Sequence, residues 1–187
     1  MANRGIPNPV LGVRIPPPLQ LNSSKNLFMS KRAIKTYPNE ILGKKAEKVK
    51  SAEEVKDLIS EMKEILEEAD GVGLAAPQIG VSKQVFVVKD GHHYYGFMNP
   101  EIVERSDETI TTKEGCLSFP GLWIDIERPK LVKIEALTED DERMLLEAEG
   151  IGAVVFQHEI DHLFGKVFID YLSGLDKMKA RLKYGLK

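Results

Sequence analysis

Gln157-His158-Glu159-Ile160-Asp161-His162-Leu163-Phe164-Gly165 is the stretch from which the rest of this sequence is best read. It holds His158-Glu159-x-x-His162, the spacing with which a helix offers two imidazoles to one metal ion and sets a carboxylate beside them. Residues four apart on a helix lie about 40° apart around the axis and roughly 6 Å apart along it, so both rings face one way. Upstream, Ile151, Val154 and Val155 fall on the stripe that His158 and His162 continue. That periodicity predicts an amphipathic helix with the stripe as its buried face and Glu159 on its shoulder. Two histidines on an apolar stripe can also be plain core residues bonded to backbone, so the motif takes its meaning from what the rest of the chain supplies.

Outward from this helix the chain reads as sheet. Residues 84–88 are an apolar, β-branched run, and Asp90-Gly91 predicts a hairpin into a strand over 94–98. Further strands are expected over 109–113, 123–127, 131–137 and 144–148, with a polar, acidic turn at 138–142. His92 and His93 fall in the hairpin turn and read as solvated, with a fourth metal ligand as the lesser use. Before the strands, residues 51–70 carry Val55, Leu58, Ile59, Met62, Ile65, Leu66 and Ala69 at helical spacing. Ser51 with Glu54 predicts a capping box, and Gly71 a stop. After Gly165 a strand is expected over 166–170 and a helix from Gly174. The sum is an α+β fold: mixed or antiparallel sheets packed around a central metal-binding helix, with a C-terminal helix.

A length of 187 residues suits one domain with a substantial core. The net charge of −3 and pI near 5.9 exclude a globally basic nucleic-acid binder and leave room for a local basic patch, so no DNA partner is expected. No apolar run approaches ~18 residues, so no membrane span is expected. With Cys116 as the sole cysteine there is no intrachain disulfide, which fits a reducing, cytoplasmic setting. Residues 1–30 differ from the rest: Pro7, Pro9 and Pro16-Pro17-Pro18 break any helix, and no acidic residue precedes Glu40. They read as a disordered leader before a single catalytic domain over 31–187. Met29 is the start this reading favours. An organellar location follows only if the leader is a transit peptide, against which its proline content argues.

Two more segments carry chemistry. Gly71-Val72-Gly73-Leu74-Ala75-Ala76-Pro77-Gln78-Ile79-Gly80 is rich in small residues, has neither phosphate-loop spacing, and offers Gln78 as an uncharged donor. Glu114-Gly115-Cys116-Leu117-Ser118 places the only thiol after a glycine. A thiolate with two imidazoles is a catalytic metal set with one position left open. Together, in this order and without a gap, G-x-G-L-A-A-P-Q-I-G, E-G-C-L-S and Q-H-E-x-D-H-L-x-G resemble the three signature motifs of peptide deformylases of the bacterial type. The resemblance runs from about Ala33 into the C-terminal helix.

The resemblance implies a metal-dependent hydrolase that removes the formyl group from the N-terminal formyl-methionine of nascent polypeptides. Ferrous iron (Fe2+) is the implied metal in the cell, with Zn2+, Ni2+ or Co2+ as substitutes. It makes Cys116, His158 and His162 the ligands and Glu159 the general base and acid. Gln78 and the Leu117 backbone N–H would hold the developing oxyanion. Crowding by the backbone at Gly73 and the Gly115-Cys116 loop is expected to admit little more than a formyl hydrogen. Ile151, Val154 and Val155 are candidates for the methionine pocket, or ordinary core. The basic segment with Lys177, Lys179, Arg181, Lys183 and Lys187 is expected to contact the ribosome, where the family docks a helix. Trp123 stands where many members carry an arginine near the mouth of the peptide groove, which bears on how residues beyond the methionine are handled. A zincin-like metallopeptidase shares H-E-x-x-H but takes a histidine or carboxylate as third ligand. A structural metal domain would need four protein ligands.

Overall fold

The computed structural model describes residues 32–184, so the expected leader and Lys187 lie outside the described residues. In chain order the elements are α1 (Lys56–Glu68), β1 (Gly73–Ala75), β2 (Val85–Asp90), β3 (His93–Arg105), β4 (Thr109–Gly115), β5 (Trp123–Pro129), β6 (Leu131–Thr138), β7 (Arg143–Glu149), α2 (Ile151–Leu163) and α3 (Gly174–Lys183), with short 3-10 turns between them. Five strands form one sheet in the order β1-β2-β3-β6-β7, and β4 pairs with β5 in a second. The pairings between strands are antiparallel, and the fold is α+β.

The large sheet is buried on both faces at β2, which explains that strand's unbroken apolar run. Phe86 and Val88 join Phe97, Ile134, Phe156 and Ile160 in the core under α2. Val85 and Val87, on the opposite face, join Ile59, Met62, Leu66 and Leu74 under α1. Period-two alternation thus feeds two cores from one strand. β2 turns into β3 at Gly91, whose φ of 60° suits a tight two-residue connection, with Asp90 paired to His93. β3 is longer than its sequence pattern suggests because it changes partner along its length, through bulges between Met98 and Glu101 and between Ile102 and Glu104. Asn99 sits at that break with φ 50°, and its side chain donates to Val49 C=O and accepts from Val49 N–H, each at 2.8 Å.

Three local expectations are corrected. The helix predicted over 51–70 divides into a 3-10 turn, Ala52–Glu54, and α1. Ser51 makes no capping bond there; the Glu54 carboxylate accepts from Lys50 N–H at 3.0 Å, while Ala52 N–H goes to Asp141 at 2.7 Å. The strand expected over 166–170 is a 3-10 turn, Phe168–Tyr171. Phe168 and Ile169 are adjacent and both buried, and Asp170 accepts from Val167 N–H at 3.0 Å, which closes the turn. Lastly, α2 is not half-exposed: residues 152–160 are all buried, so the helix runs through the interior, whereas Ile151, predicted on its buried stripe, is 55% exposed at its first turn.

Candidate active site

Three elements converge on one pocket. α2 brings His158, Glu159 and His162; the end of β4 brings Gly115 and Cys116; the turn after β1 brings Gln78. Cys116 Sγ lies 3.3 Å from His162 Nε2. Among the described residues, Cys116, His158 and His162 form a group whose ligating atoms all lie within 4.8 Å of one another. Atoms bonded tetrahedrally to one ion at ~2.0–2.3 Å stand roughly 3.3–3.8 Å apart, so the trio needs only a small contraction to hold it. His92 in the β2–β3 turn and His93 at the start of β3 are exposed and are not part of this group.

Each group is oriented from outside the trio. His158 Nδ1 is 2.8 Å from Glu114 Oε2, which fixes the tautomer and leaves Nε2 for a metal. Glu114 is gripped by Arg128, from Nε at 2.5 Å and a terminal nitrogen at 3.0 Å. The guanidinium also donates to Asp161 at 2.8 Å and to Tyr171 Oη at 3.1 Å, and the Tyr171 hydroxyl donates to Asp161 at 2.9 Å. Gln78 is held by its carbonyl, which accepts from Ala75 N–H at 2.7 Å; its Nε2 is thereby aimed at Cys116 Sγ, 3.5 Å away, and Ser118 Oγ, 3.3 Å away.

Burial sets the electrostatics. It pushes the Glu159 carboxyl up to about 7 and drives His162 well below the usual histidine range. At His158 burial pulls downward, but contacts with Cys116 and Glu114 outweigh it and the imidazole is raised. Burial raises Glu114 too, yet its bonds to His158 and Arg128 win and hold it below the usual range. Glu159 Oε2 is buried with no hydrogen-bond partner among the described residues. An orphaned carboxylate oxygen beside a thiol–imidazole–imidazole trio fits a site that takes a metal and a polar reactant.

The pocket above these groups measures about 470 Å³. Gln78, Leu117, Gly73, Gly115, Val154, Val155 and Ile151 line it along with Cys116, His158 and Glu159, whereas His162 is not in its lining and joins the group through Cys116. Val154 and Val155 are buried in its wall, while Ile151 stands at the rim. Glycine is required at Gly73, where a Cβ would collide with the Glu159 carboxylate. The network from Glu114 through Arg128 to Asp161 and Tyr171 escaped the sequence reading. A signal existed: Ile124, Ile126 and Arg128 alternate along β5 on its inward face, so the arginine had to be buried and therefore paired.

The family model for polypeptide deformylase matches residues 31–178. Over 160 residues the chain is 48% identical to the peptide deformylase of Aquifex aeolicus, covering 82% of this chain and 94% of that one. Over 144 residues it is 46% identical to that of Natranaerobius thermophilus, covering 76% and 92%. The crystal structure of peptide deformylase from Thermotoga maritima superposes with a TM-score of 0.75 at 41% identity, covering 78% of this chain and all (100%) of that one.

Proposed function

The chain belongs to the polypeptide deformylase family, and from that membership we propose how its own residues perform the reaction. The activity is metal-dependent hydrolysis of the N-formyl group from the formyl-methionine of nascent polypeptides, and membership removes the support for a zincin-like peptidase. Cys116 Sγ, His158 Nε2 and His162 Nε2 hold the ion, Fe2+ in the cell, with Zn2+, Ni2+ or Co2+ able to replace it. When bound, the metal polarises the formyl oxygen and lowers the pKa of water at the site.

The remaining work falls to the chain. Glu159, raised to about 7 by burial, takes a proton from the attacking water and hands it to the amine nitrogen as the formyl C–N bond breaks. Formate leaves with the former carbonyl carbon. Gln78 Nε2 and Leu117 N–H donate to the oxygen that becomes negative, and Gln78 needs no rearrangement because Ala75 already fixes its amide. Gly73 and Gly115 keep the backbone close to the formyl group, and Val154, Val155 and Ile151 receive the methionine side chain. The observation that carries this reading is the grouping of Cys116, His158 and His162, with Cys116 and His158 lining one pocket together with Glu159 and Gln78.

Residues 31–187 act as one catalytic unit in the cytoplasm, where formylated chains emerge. α3, with Lys177, Lys179, Arg181 and Lys183, contacts ribosomal RNA. Among the described residues no helix is long and apolar enough to cross a membrane. The test is formate release from a formyl-methionyl peptide, set against amine release from an unformylated one. Release of formate that stops on chelation and returns with Fe2+ supports the reading; cleavage of the unformylated peptide overturns it.

A further inference from the structure

Cys116 and Leu117 begin a turn, residues 116–122, that joins β4 to β5 beyond the last rung of their ladder, Gly115 opposite Trp123. Pairing between the two strands therefore does not fix it. Its own bonds are few: Phe119 N–H donates to Cys116 C=O at 2.9 Å, and Leu122 N–H to Phe119 C=O at 3.1 Å. Other segments supply the rest of its support. On the pocket side Gln78 Nε2 is 3.3 Å from Ser118 Oγ, and Tyr37 N–H donates to Ser118 C=O at 2.9 Å. Phe119 is fully buried, stacked on Tyr37 with ring centroids 4.8 Å apart and met edge-on by Phe168 and Tyr184 at 5.0 and 5.4 Å. The outer end, Pro120-Gly121, is held from the end of α3. The Tyr184 hydroxyl donates to Pro120 C=O at 2.9 Å, and the Lys183 ammonium to Gly121 C=O at 3.0 Å.

α3 is not attached by its apolar residues. Its 10 residues are too few for a helix that is stable alone. Leu175, Met178 and Leu182 share one face and are 68%, 52% and 56% exposed, while only Ala180 is buried. A helix that turns its apolar face to solvent adds little to the core. Its contacts with the body are directed ones: Lys177 with Asp170 at 3.0 Å, and Lys183 and Tyr184 with the turn. Both turn contacts end on backbone carbonyls of the segment that supplies Cys116 Sγ and Leu117 N–H. Because that segment closes on itself through Phe119, a shift at Pro120 is passed on to Leu117.

We propose that Tyr184 is a positioning residue: its hydroxyl and ring fix the Pro120 end of the turn, and with it the aim of Leu117 N–H at the developing oxyanion. α3 itself does not line the pocket. The inference rests on the deformylase reading above. An oxyanion donor acts in the transition state, so misaiming it lowers kcat and leaves KM nearly alone. Losing such a donor outright costs about 10²–10³ in rate, and displacing it costs a part of that, about tenfold.

The test compares the parent with Tyr184→Ala, Tyr184→Phe and Leu182→Ala, all metal-loaded and assayed on one formyl-methionyl peptide. Tyr184→Ala should lower kcat about tenfold and leave KM within about twofold. Tyr184→Phe keeps the ring on Phe119 but loses the bond to Pro120, and its kcat should lie between the two. Leu182→Ala, on the exposed face of the same helix, should match the parent. Hydrogen exchange of the loaded proteins gives a readout apart from activity. The Phe119 and Leu122 amides should exchange about tenfold faster in Tyr184→Ala, with α2 and the large sheet unchanged. Exchange that quickens equally across α2 and the large sheet, with kcat unchanged, marks a merely structural role and overturns the proposal. So does a kcat for Tyr184→Ala within about twofold of the parent, or unaltered exchange in the turn, while the deformylase reading stands. Failure of the parent protein to release formate overturns that reading instead, and this inference with it.

Discussion

Arg128 provides the sharpest test of how the site is supported, because it touches no reacting atom. Its side chain is 1% exposed and joins Glu114, at 2.5 and 3.0 Å, to Asp161, at 2.8 Å. Arg128→Ala removes the cation and leaves the buried Glu114 carboxylate with His158 alone. Breaking one side of a buried pair costs about 3–5 kcal/mol. For a chain of this length each kcal/mol lowers Tm by about 2–4 °C, so thermal unfolding should drop by roughly 6–20 °C. His158 would lose the fixed partner that orients it, which typically weakens metal affinity about 10–100-fold.

The pH dependence has a definite sign. In the parent, Glu114 is held below its ordinary value, so its stabilising contribution is present above that value and is lost as pH falls through the folded pKa. In Arg128→Ala the guanidinium's part of that lowering is gone while burial and the His158 bond remain, so the variant gains less stability than the parent above the ordinary carboxylate range. The Tm gap between parent and variant should therefore be wider near pH 8 than near pH 5. Melts of both metal-free proteins across that range, with a competitive chelator titration of the loaded ones, check both parts. A gap under about 2 °C at every pH, with unchanged metal affinity, refutes the argument. Arg128→Lys should recover only part of the loss, since an ammonium cannot reproduce the two-pronged grip.

Gly73→Ala should fold but lose activity by at least about a hundredfold, because the new methyl displaces the Glu159 carboxylate; formate release and a melt measure it. Glu159→Gln should keep stoichiometric metal and lower deformylation by at least ~10³, as metal analysis and single-turnover assays would show. Because burial raises the Glu159 carboxyl to about 7, its ionisation weakens the metal-free fold as pH rises through that value, so Glu159→Gln should melt higher than the parent above it. The Fe2+ form should lose turnover in air as the metal or Cys116 oxidises, and Ni2+ or Co2+ forms should resist, as timed assays of aerobic and anaerobic stocks would reveal. Binding to ribosomes should weaken steeply with salt and vanish on truncation at Asp176, measured by co-sedimentation.

The grouping of Cys116, His158 and His162, the proposed metal ligands, was legible because its signals are local or rare: a four-residue histidine spacing and a solitary cysteine after glycine. The sheet was legible for the same reason, since β2, β6 and β7 have patterns that hold within each strand. What escaped was decided by contacts distant in sequence. Ser51 and Glu54 form a good local cap on paper, yet Asp141, far along the chain, takes the Ala52 N–H. Phe168 and Ile169 look like strand residues until both must enter the core beside Phe119. Glu114 and Arg128 are fourteen residues apart and meet only because β4 folds back on β5.

The burial of α2 explains why so much of the chain serves it. A helix buried on all sides should be apolar on all sides, yet this one carries Gln157, His158, Glu159 and His162, all at 8% exposure or less. Each such group costs free energy unless it is bonded. Gln157 is answered by Pro129 C=O and Ala153 C=O, at 2.9 Å each; His158 by Glu114; His162 Nε2 by Cys116. Glu159 Oε2 and His162 Nδ1 are left without a bond among the described residues, and burial raises the Glu159 carboxyl. Gln157 and His158 are held in place by the fold, and a group so held cannot easily pass a proton on. In the proposed reaction it is the carboxylate, left without a bond from the fold, that exchanges a proton with water and then with the amine. The same burial that makes Glu159 costly to the fold sets its proton affinity near neutrality, where both transfers can run.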